Sequence, residues 1–178
     1  YYGDYSAKLK ATTQAPALKA KEARKLFGNA IEVYMNWVYS CAYTRNNYIT
    51  RNFYGTPCRF ALVEHPDIKP KSDIEKLLSK YFAKELYENE LYFYIEVGDR
   101  LYYYAEGGVG EPDKGTKSYT DTLKKVNHKK YKYTLTPTYY PRHDSENSPK
   151  NFVFAITRKD GRWIFDDKFY TCCAKIKD

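Results

Sequence analysis

The sequence has little of what would assign it directly to a class of protein. Its 178 residues include only 4 Cys, 3 His, 2 Trp and 1 Met. Uncharged apolar runs are a few residues long, far short of the roughly 20 that a membrane helix needs, so we predict no transmembrane segment. The histidines are scattered and no cysteine pair has the C-x-x-C spacing of a zinc site, so we predict no metal site and no cofactor.

Aromatic side chains and positive charge are what the chain has in excess. It contains 21 Tyr, 43% of its residues are hydrophobic, and its net charge is +8. This hydrophobic content is too high for a disordered protein, and the length fits a single domain. We therefore expect a polar leader or linker over residues 1–17 and one folded domain over residues 18–178.

Two helices are predicted in the first half of the domain. The first begins near Lys19, because apolar residues between Phe27 and Cys41 recur at helical spacing. The second is expected to begin at Ser72, since Ser72 and Glu75 have the spacing of a capping box.

The rest of the domain is predicted to be antiparallel sheet. Gly98-Asp99 and Asp160-Gly161 are each typical of the two-residue turn of a β-hairpin, with a type II′ turn expected for Gly98-Asp99. The predicted strands are Arg59–His65, Leu91–Val97, Leu101–Ala105, Tyr119–Val126, the alternating residues around Tyr131 and Tyr133, Phe152–Thr157 and Arg162–Phe165. The stretch Thr44–Cys58 contains Asn, Gly and Pro and is predicted to be a loop. This order of elements predicts an α+β fold in which the N-terminal helices pack on a curved antiparallel sheet.

Charge is unevenly distributed along the chain. Residues 85–113 contain eight acidic residues and one arginine, whereas residues 114–133 contain seven lysines and one aspartate. Such segments are often ordinary solvated faces, but here they also predict an acidic hairpin and glycine-rich loop that bind a protein partner carrying both signs of charge. Nucleic acid is not the expected partner. The candidate binding residues are Asp99, Glu106, Gly107, Gly108, Gly110, Glu111 and Asp113.

The four cysteines leave two interpretations open. They are either buried thiols or, in an exported protein, a possible Cys41–Cys58 disulfide or a bridge from either residue to Cys172 or Cys173. The chain begins without Met, which fits a cleaved export signal and a trimmed chain equally well. We expect an extracytoplasmic location, secreted or in the cell envelope.

Several short motifs together resemble a known family. The residues that carry the likeness are Asp67-Ile68, the helix segment Asp73–Phe82, Glu85-Leu86-Tyr87, the hairpin Gly98–Tyr102, the glycines Gly108 and Gly110, and the final Asp160-Gly161-Arg162-Trp163-Ile164. Over roughly Leu18–Tyr170 the chain is similar to the IseA-like family of bacterial peptidoglycan DL-endopeptidase inhibitors. The resemblance implies a secreted, non-catalytic protein of cystatin-like fold, which covers the active-site cleft of a cell-wall cysteine peptidase.

Two other functions stay open. One is a small-ligand or enzyme site inside the cone formed by the sheet and the first helix, which an interior filled by Trp37 and Phe82 would count against. The other is a binder of polyanions such as nucleic acid or teichoic acid, whose affinity would fall steeply with salt. Enzymatic function is the less expected outcome, because the glycine loop lacks the Lys-Ser/Thr pair of a phosphate-binding loop and Cys41 has no adjacent base.

Overall fold

The computed structural model describes residues 16–107, 119–137 and 151–169. These residues include two α-helices, α1 (Ala20–Tyr34) and α2 (Lys71–Leu78), and a π-helical turn at Met35–Tyr39 continues α1. Single 3₁₀ turns lie at Lys84–Leu86 and Glu90–Phe93. The strands are β1 (Thr44–Phe53), β2 (Thr56–Val63), β3 (Tyr94–Val97), β4 (Arg100–Tyr104), β5 (Tyr119–Asn127), β6 (Lys130–Pro137), β7 (Phe152–Lys159) and β8 (Arg162–Phe165).

The strands form two sheets, each antiparallel throughout. The N-terminal sheet has the order β1-β2-β4-β3, and the C-terminal sheet is a meander, β5-β6-β7-β8. The predicted α+β class is confirmed, but the strands divide into two four-stranded sheets where we expected one curved sheet. Both sheets and both helices contribute to one continuous hydrophobic core.

Aromatic rings fill the centre of this core. Phe27 of α1 is fully buried, and its ring centroid lies 5.2 Å from that of Phe154 and 5.7 Å from that of Tyr133 in the C-terminal sheet. Tyr131, Tyr133 and Leu135 of β6 are all buried while the residues between them are not, as their alternation predicts. The tyrosines of this strand are therefore core residues rather than surface ones.

A partly buried ion pair attaches α1 to the C-terminal sheet. Arg24 Nη2 donates to Asp121 Oδ1 at 2.8 Å, and Arg24 Nε donates to Oδ2 at 3.0 Å. The Tyr133 hydroxyl donates to the same Oδ2 at 2.8 Å. One carboxylate on β5 thus joins the helix to two neighbouring strands.

The two predicted hairpin turns are confirmed. Gly98 has φ +63° between the paired residues Val97 and Arg100, and Asp99 is not among the positive-φ residues, which is the pattern of a type II′ turn. Asp160 and Gly161 have φ values of 51° and 78° and join β7 to β8. Positive φ at both central positions is the type I′ geometry for which Asp-Gly is favoured.

The prediction of a loop over Thr44–Cys58 is wrong. This stretch forms β1, the turn Tyr54-Gly55 and the start of β2, and Phe53 pairs with Thr56 across the turn. Tyr54 and Gly55 have φ values of 50° and 81°, so the chain reverses through two left-handed residues, of which only the glycine is expected there. As an edge strand that is mostly exposed, β1 lacks the alternating apolar residues from which a strand is predicted.

Two predicted boundaries are also wrong. Helix α2 begins at Lys71, one residue before the predicted cap Ser72. Two carboxylates bind the backbone at this end: that of Asp73 accepts a hydrogen bond from the Lys69 N–H at 3.1 Å, and that of Glu96 accepts one from the Lys71 N–H at 2.7 Å. The strand expected over Leu91–Val97 begins only at Tyr94, after a 3₁₀ turn.

Candidate functional site

A charged groove lies beside the Gly98-Asp99 turn, where the end of β2 meets the β3–β4 hairpin. Its volume is about 590 Å³. Four apolar residues are among those that line it, Leu62, Val63, Ile68 and Leu101, but their side chains are buried within the fold. The surface that the groove offers to a partner is therefore mainly polar and charged, like the rim of a protein–protein interface.

The rim of this groove carries both signs of charge. Arg45 Nε donates to Glu64 Oε2 at 2.9 Å, and both side chains are more than half exposed. Lys69 contributes a second cation, and the hairpin turn places Asp99 next to Arg100. Because these groups are exposed, their pairing contributes little to stability, but their field reaches a partner in solution.

His65 forms one side of the groove and is held by its neighbours. Its ring stands edge-on to Tyr43, with centroids 4.5 Å apart, and to Trp37, with centroids 5.4 Å apart. The N–H of Asp67 donates to His65 Nδ1 at 3.1 Å, so a neutral ring carries its proton on Nε2. This imidazole is oriented by packing and by a backbone N–H, and no carboxylate among the described residues pairs with it.

The structure separates the two described acidic candidates. Asp99 lies on the groove, whereas Glu106 lies beyond the opposite end of β4, about 20 Å away at the rise of an extended strand. Glu106 Oε1 accepts from the backbone N–H of Arg59 at 2.8 Å and from its guanidinium Nε at 3.1 Å. These two hydrogen bonds lower the pKa of Glu106 below its ordinary value. Glu106 is therefore engaged within the fold and does not join Asp99 in one acidic surface.

The remaining candidates are only partly placed. Gly107 is exposed next to Glu106. Gly108, Gly110, Glu111 and Asp113 lie outside the described residues, as do most of the predicted leader and Cys172 and Cys173.

Cys41 and Cys58 do not form the predicted disulfide. Both are free, buried thiols, and they belong to separate hydrophobic clusters. Cys41 packs among core residues near Tyr94, and burial raises the pKa of its thiol. A thiol in this environment stays protonated at neutral pH and is a poor nucleophile.

In the described part of the chain, the interior is filled where a small-ligand site was considered. Trp37 and Phe82 are both at least 97% buried and fill the core between the helices and the sheets. Within residues 16–107, 119–137 and 151–169, no three His, Cys, Asp or Glu side chains are grouped as metal ligands. No helix in these ranges is both long enough and apolar enough to span a membrane.

Sequence reasoning found Asp99 but missed the groove around it. The other charged rim residues, Arg45, Glu64, Lys69 and Arg100, come from three separate segments, and the pairing of β2 with both β1 and β4 brings them together. The turn signal at Gly98-Asp99 was the one local feature that pointed to this place.

Neither a protein-family model nor a curated protein matches this chain. The resemblance to the IseA-like endopeptidase inhibitors therefore stays a prediction that rests on the short motifs.

Proposed function

We propose that the chain is a non-catalytic binding domain and that it binds a protein partner at the groove beside Gly98-Asp99. The observation that carries this proposal is that the groove, with a volume of about 590 Å³, brings exposed charges of both signs together. Complementary charges on a partner would set its orientation and speed its association.

The chemistry of the described residues supports a binding role over catalysis. The groove holds an imidazole without a carboxylate partner, and the buried Cys41 thiol has a raised pKa and lies outside the groove. A nucleophile, a base that activates it and an orienting group are the minimum for acyl transfer, and the groove does not combine them.

A cell-wall cysteine endopeptidase is the partner that we propose to test first. The motif resemblance to endopeptidase inhibitors supports this choice. Such a partner acts outside the cytoplasm, so the proposal includes export of the chain.

The test uses a purified peptidoglycan DL-endopeptidase with peptidoglycan as its substrate. We expect the chain to bind the enzyme in calorimetry and to slow cleavage, while the chain alone releases no product. The double variant Asp99→Lys/Arg100→Glu exchanges the two charges of the turn at constant net charge and should weaken binding at least tenfold. Lys80→Glu/Glu85→Lys is the matched control, because it makes the same exchange at two exposed positions outside the groove.

Each outcome decides one part of the proposal. Absence of binding to the endopeptidase removes that class of partner. If the wild-type chain and the Asp99→Lys/Arg100→Glu variant bind equally, the groove is not the binding site. Product released by the chain alone contradicts the non-catalytic role.

A further inference from the structure

The strongest concentration of a single charge lies at one end of the C-terminal sheet, where the β5–β6 and β7–β8 turns are neighbours. We name this surface the basic end. It consists of Lys124, Lys125, Lys129, Lys130, Lys132, Lys159 and Arg162. Asp160 is the acidic residue of the β7–β8 turn.

The fold leaves these cations unneutralised. Among the described residues, none of the seven takes part in an ion pair, whereas Arg24, Arg45, Arg59 and Lys84 all do. Lys124 and Lys132 are direct cross-strand partners, and like charges opposite each other on a sheet are unfavourable for the fold. An anion that binds between them relieves this repulsion.

Hydroxyl groups extend the same surface along the outer face of the sheet. Thr120 pairs with Thr136 and Thr122 with Thr134, on the face that Lys124 and Lys132 share. Thr120 and Thr122 are exposed. Successive pairs follow one another at about 6–7 Å, two residues along a strand. The result is a flat strip of hydroxyl donors that leads to a cluster of ammonium groups.

A small cleft lies beside the basic end at the other edge of the sheet, next to β8. It has a volume of about 160 Å³ and lies between the β7–β8 turn and the segment that contains Lys84. Lys84, Lys159 and Arg162 line it, together with the single carboxylate of Asp160. One phosphate group is of the right size and charge for such a cleft.

From this arrangement we infer that the basic end and its threonine strip bind a linear phosphodiester polymer without bases, of the polyol-phosphate class. An extended polymer suits a long surface on which positive charges outnumber negative ones. Its hydroxyl and phosphate oxygens match the threonine hydroxyls and lysine ammonium groups of this strip.

The direction of the aromatic rings argues against nucleic acid as the ligand. Proteins that bind single strands stack bases on exposed aromatic side chains. Here Tyr131 and Tyr133 are buried in the core, and the outer face of β5, β6 and β7 presents Thr, Lys, Val and Ala in its described part.

The experiment measures binding of four probes to the full chain at 50 and 200 mM NaCl. The probes are poly(glycerol phosphate), inorganic polyphosphate, poly(dT) and polyglutamate, matched in number of charges. If about four phosphates are neutralised, poly(glycerol phosphate) affinity should fall about 50-fold between the two salt concentrations. Polyphosphate binding at least as tightly as poly(glycerol phosphate) would show that charge alone is recognised and would overturn the role of the threonine strip.

Charge reversal locates the site. Lys124→Glu/Lys132→Glu should weaken poly(glycerol phosphate) binding at least tenfold, while Lys21→Glu/Lys25→Glu, with the same change in net charge on exposed positions of α1, should leave it within twofold. Circular dichroism checks that each variant is folded, and Lys129→Glu/Lys159→Glu replaces the first variant if that one unfolds.

Four further results overturn the inference. If poly(dT) binds as tightly as poly(glycerol phosphate), the surface is a nucleic-acid site. If polyglutamate binds as tightly as poly(glycerol phosphate), the surface is a site for acidic protein. Affinities that do not change between the reversed and control variants, or no binding at 50 mM NaCl, remove the site altogether.

Discussion

Replacing Asp121 with Asn tests the contact that holds α1 on the C-terminal sheet. The carboxylate accepts two hydrogen bonds from Arg24 and one from Tyr133, and its side chain is only 7% exposed. Asparagine keeps the size of the side chain but has no charge and offers one acceptor oxygen in place of two. The substitution therefore removes the charge-assisted part of the contact without creating a cavity.

The expected loss follows from the number of bonds and their exposure. A hydrogen bond to a charged group contributes about 1.5–3 kcal/mol. The three bonds share one carboxylate, and the Arg24 side chain is 37% exposed, so water replaces part of what is lost. We expect Asp121→Asn to lower the free energy of unfolding at pH 7 by about 2–3 kcal/mol. For a chain of this length, that loss lowers Tm by roughly 5–10 °C.

This stabilisation has a defined pH dependence. The hydrogen bonds from Arg24, with that from Tyr133, hold the pKa of Asp121 below its ordinary value of 3.8, although partial burial acts in the opposite direction. The folded protein therefore binds this proton less readily than the unfolded chain does. The contribution is fully present above the ordinary pKa and is lost as the pH falls through the lower pKa of the folded state.

Urea unfolding followed by fluorescence between pH 2.5 and pH 7 measures both effects. The difference in stability between the wild-type chain and Asp121→Asn should be largest at neutral pH and should shrink below pH 3.8. Asp67→Asn is the control, since Asp67 is exposed and makes no ion pair among the described residues. Equal unfolding midpoints at pH 7, or a difference that stays constant to pH 2.5, would refute the reasoning.

Four further substitutions test the packing and the turns by the same urea assay. Tyr94→Phe removes a buried hydroxyl that donates to the Trp37 carbonyl at 2.8 Å; we expect a loss of about 1–3 kcal/mol, and an unchanged midpoint contradicts the role of this bond. Phe27→Ala empties the fully buried centre of the core and should cost about 3–5 kcal/mol; a loss under about 1 kcal/mol would mean that the core closes around the gap. Gly161→Ala should cost about 1–2 kcal/mol because φ at this position is +78°. Gly28→Ala, in the middle of α1 with open space around the added Cβ, should instead raise the free energy of unfolding by about 0.5–1 kcal/mol. If both glycine substitutions change the free energy of unfolding in the same direction, the conformational argument is contradicted.

Elements with a strong local signal could be predicted from the sequence. Alternating Tyr131, Tyr133 and Leu135 indicate one buried strand face, and Asp160-Gly161 specifies a turn with two positive φ angles. In both cases the residues that determine the structure are neighbours in sequence. The strand β1 gives no such signal, because its partner β2 supplies the backbone hydrogen bonds whatever side chains β1 exposes.

The site was less predictable because its chemistry depends on distant partners. The sequence places Glu106 in an acidic segment, yet its carboxylate is engaged by Arg59, which is 47 residues away along the chain. The groove around Asp99 likewise depends on Arg45 and Lys69, from segments that the fold brings to the hairpin. Summed charge along the sequence therefore overestimates the acidic surface, and paired charges must first be subtracted.

Once paired charges are subtracted, the basic end and the groove are two surfaces that experiments can distinguish. The groove belongs to the N-terminal sheet and carries both signs of charge, and the basic end belongs to the C-terminal sheet and carries one. If both ligands were held by long-range attraction to the net charge of +8, reversing lysines would weaken both kinds of binding. Separate sites predict a crossed pattern. Lys124→Glu/Lys132→Glu should lose the polymer and keep the protein partner, while Asp99→Lys/Arg100→Glu should do the reverse. If Lys124→Glu/Lys132→Glu weakens both ligands equally, the net charge of the protein is responsible and the basic end is not a specific site. Asp99→Lys/Arg100→Glu leaves the net charge unchanged and therefore tests the groove alone.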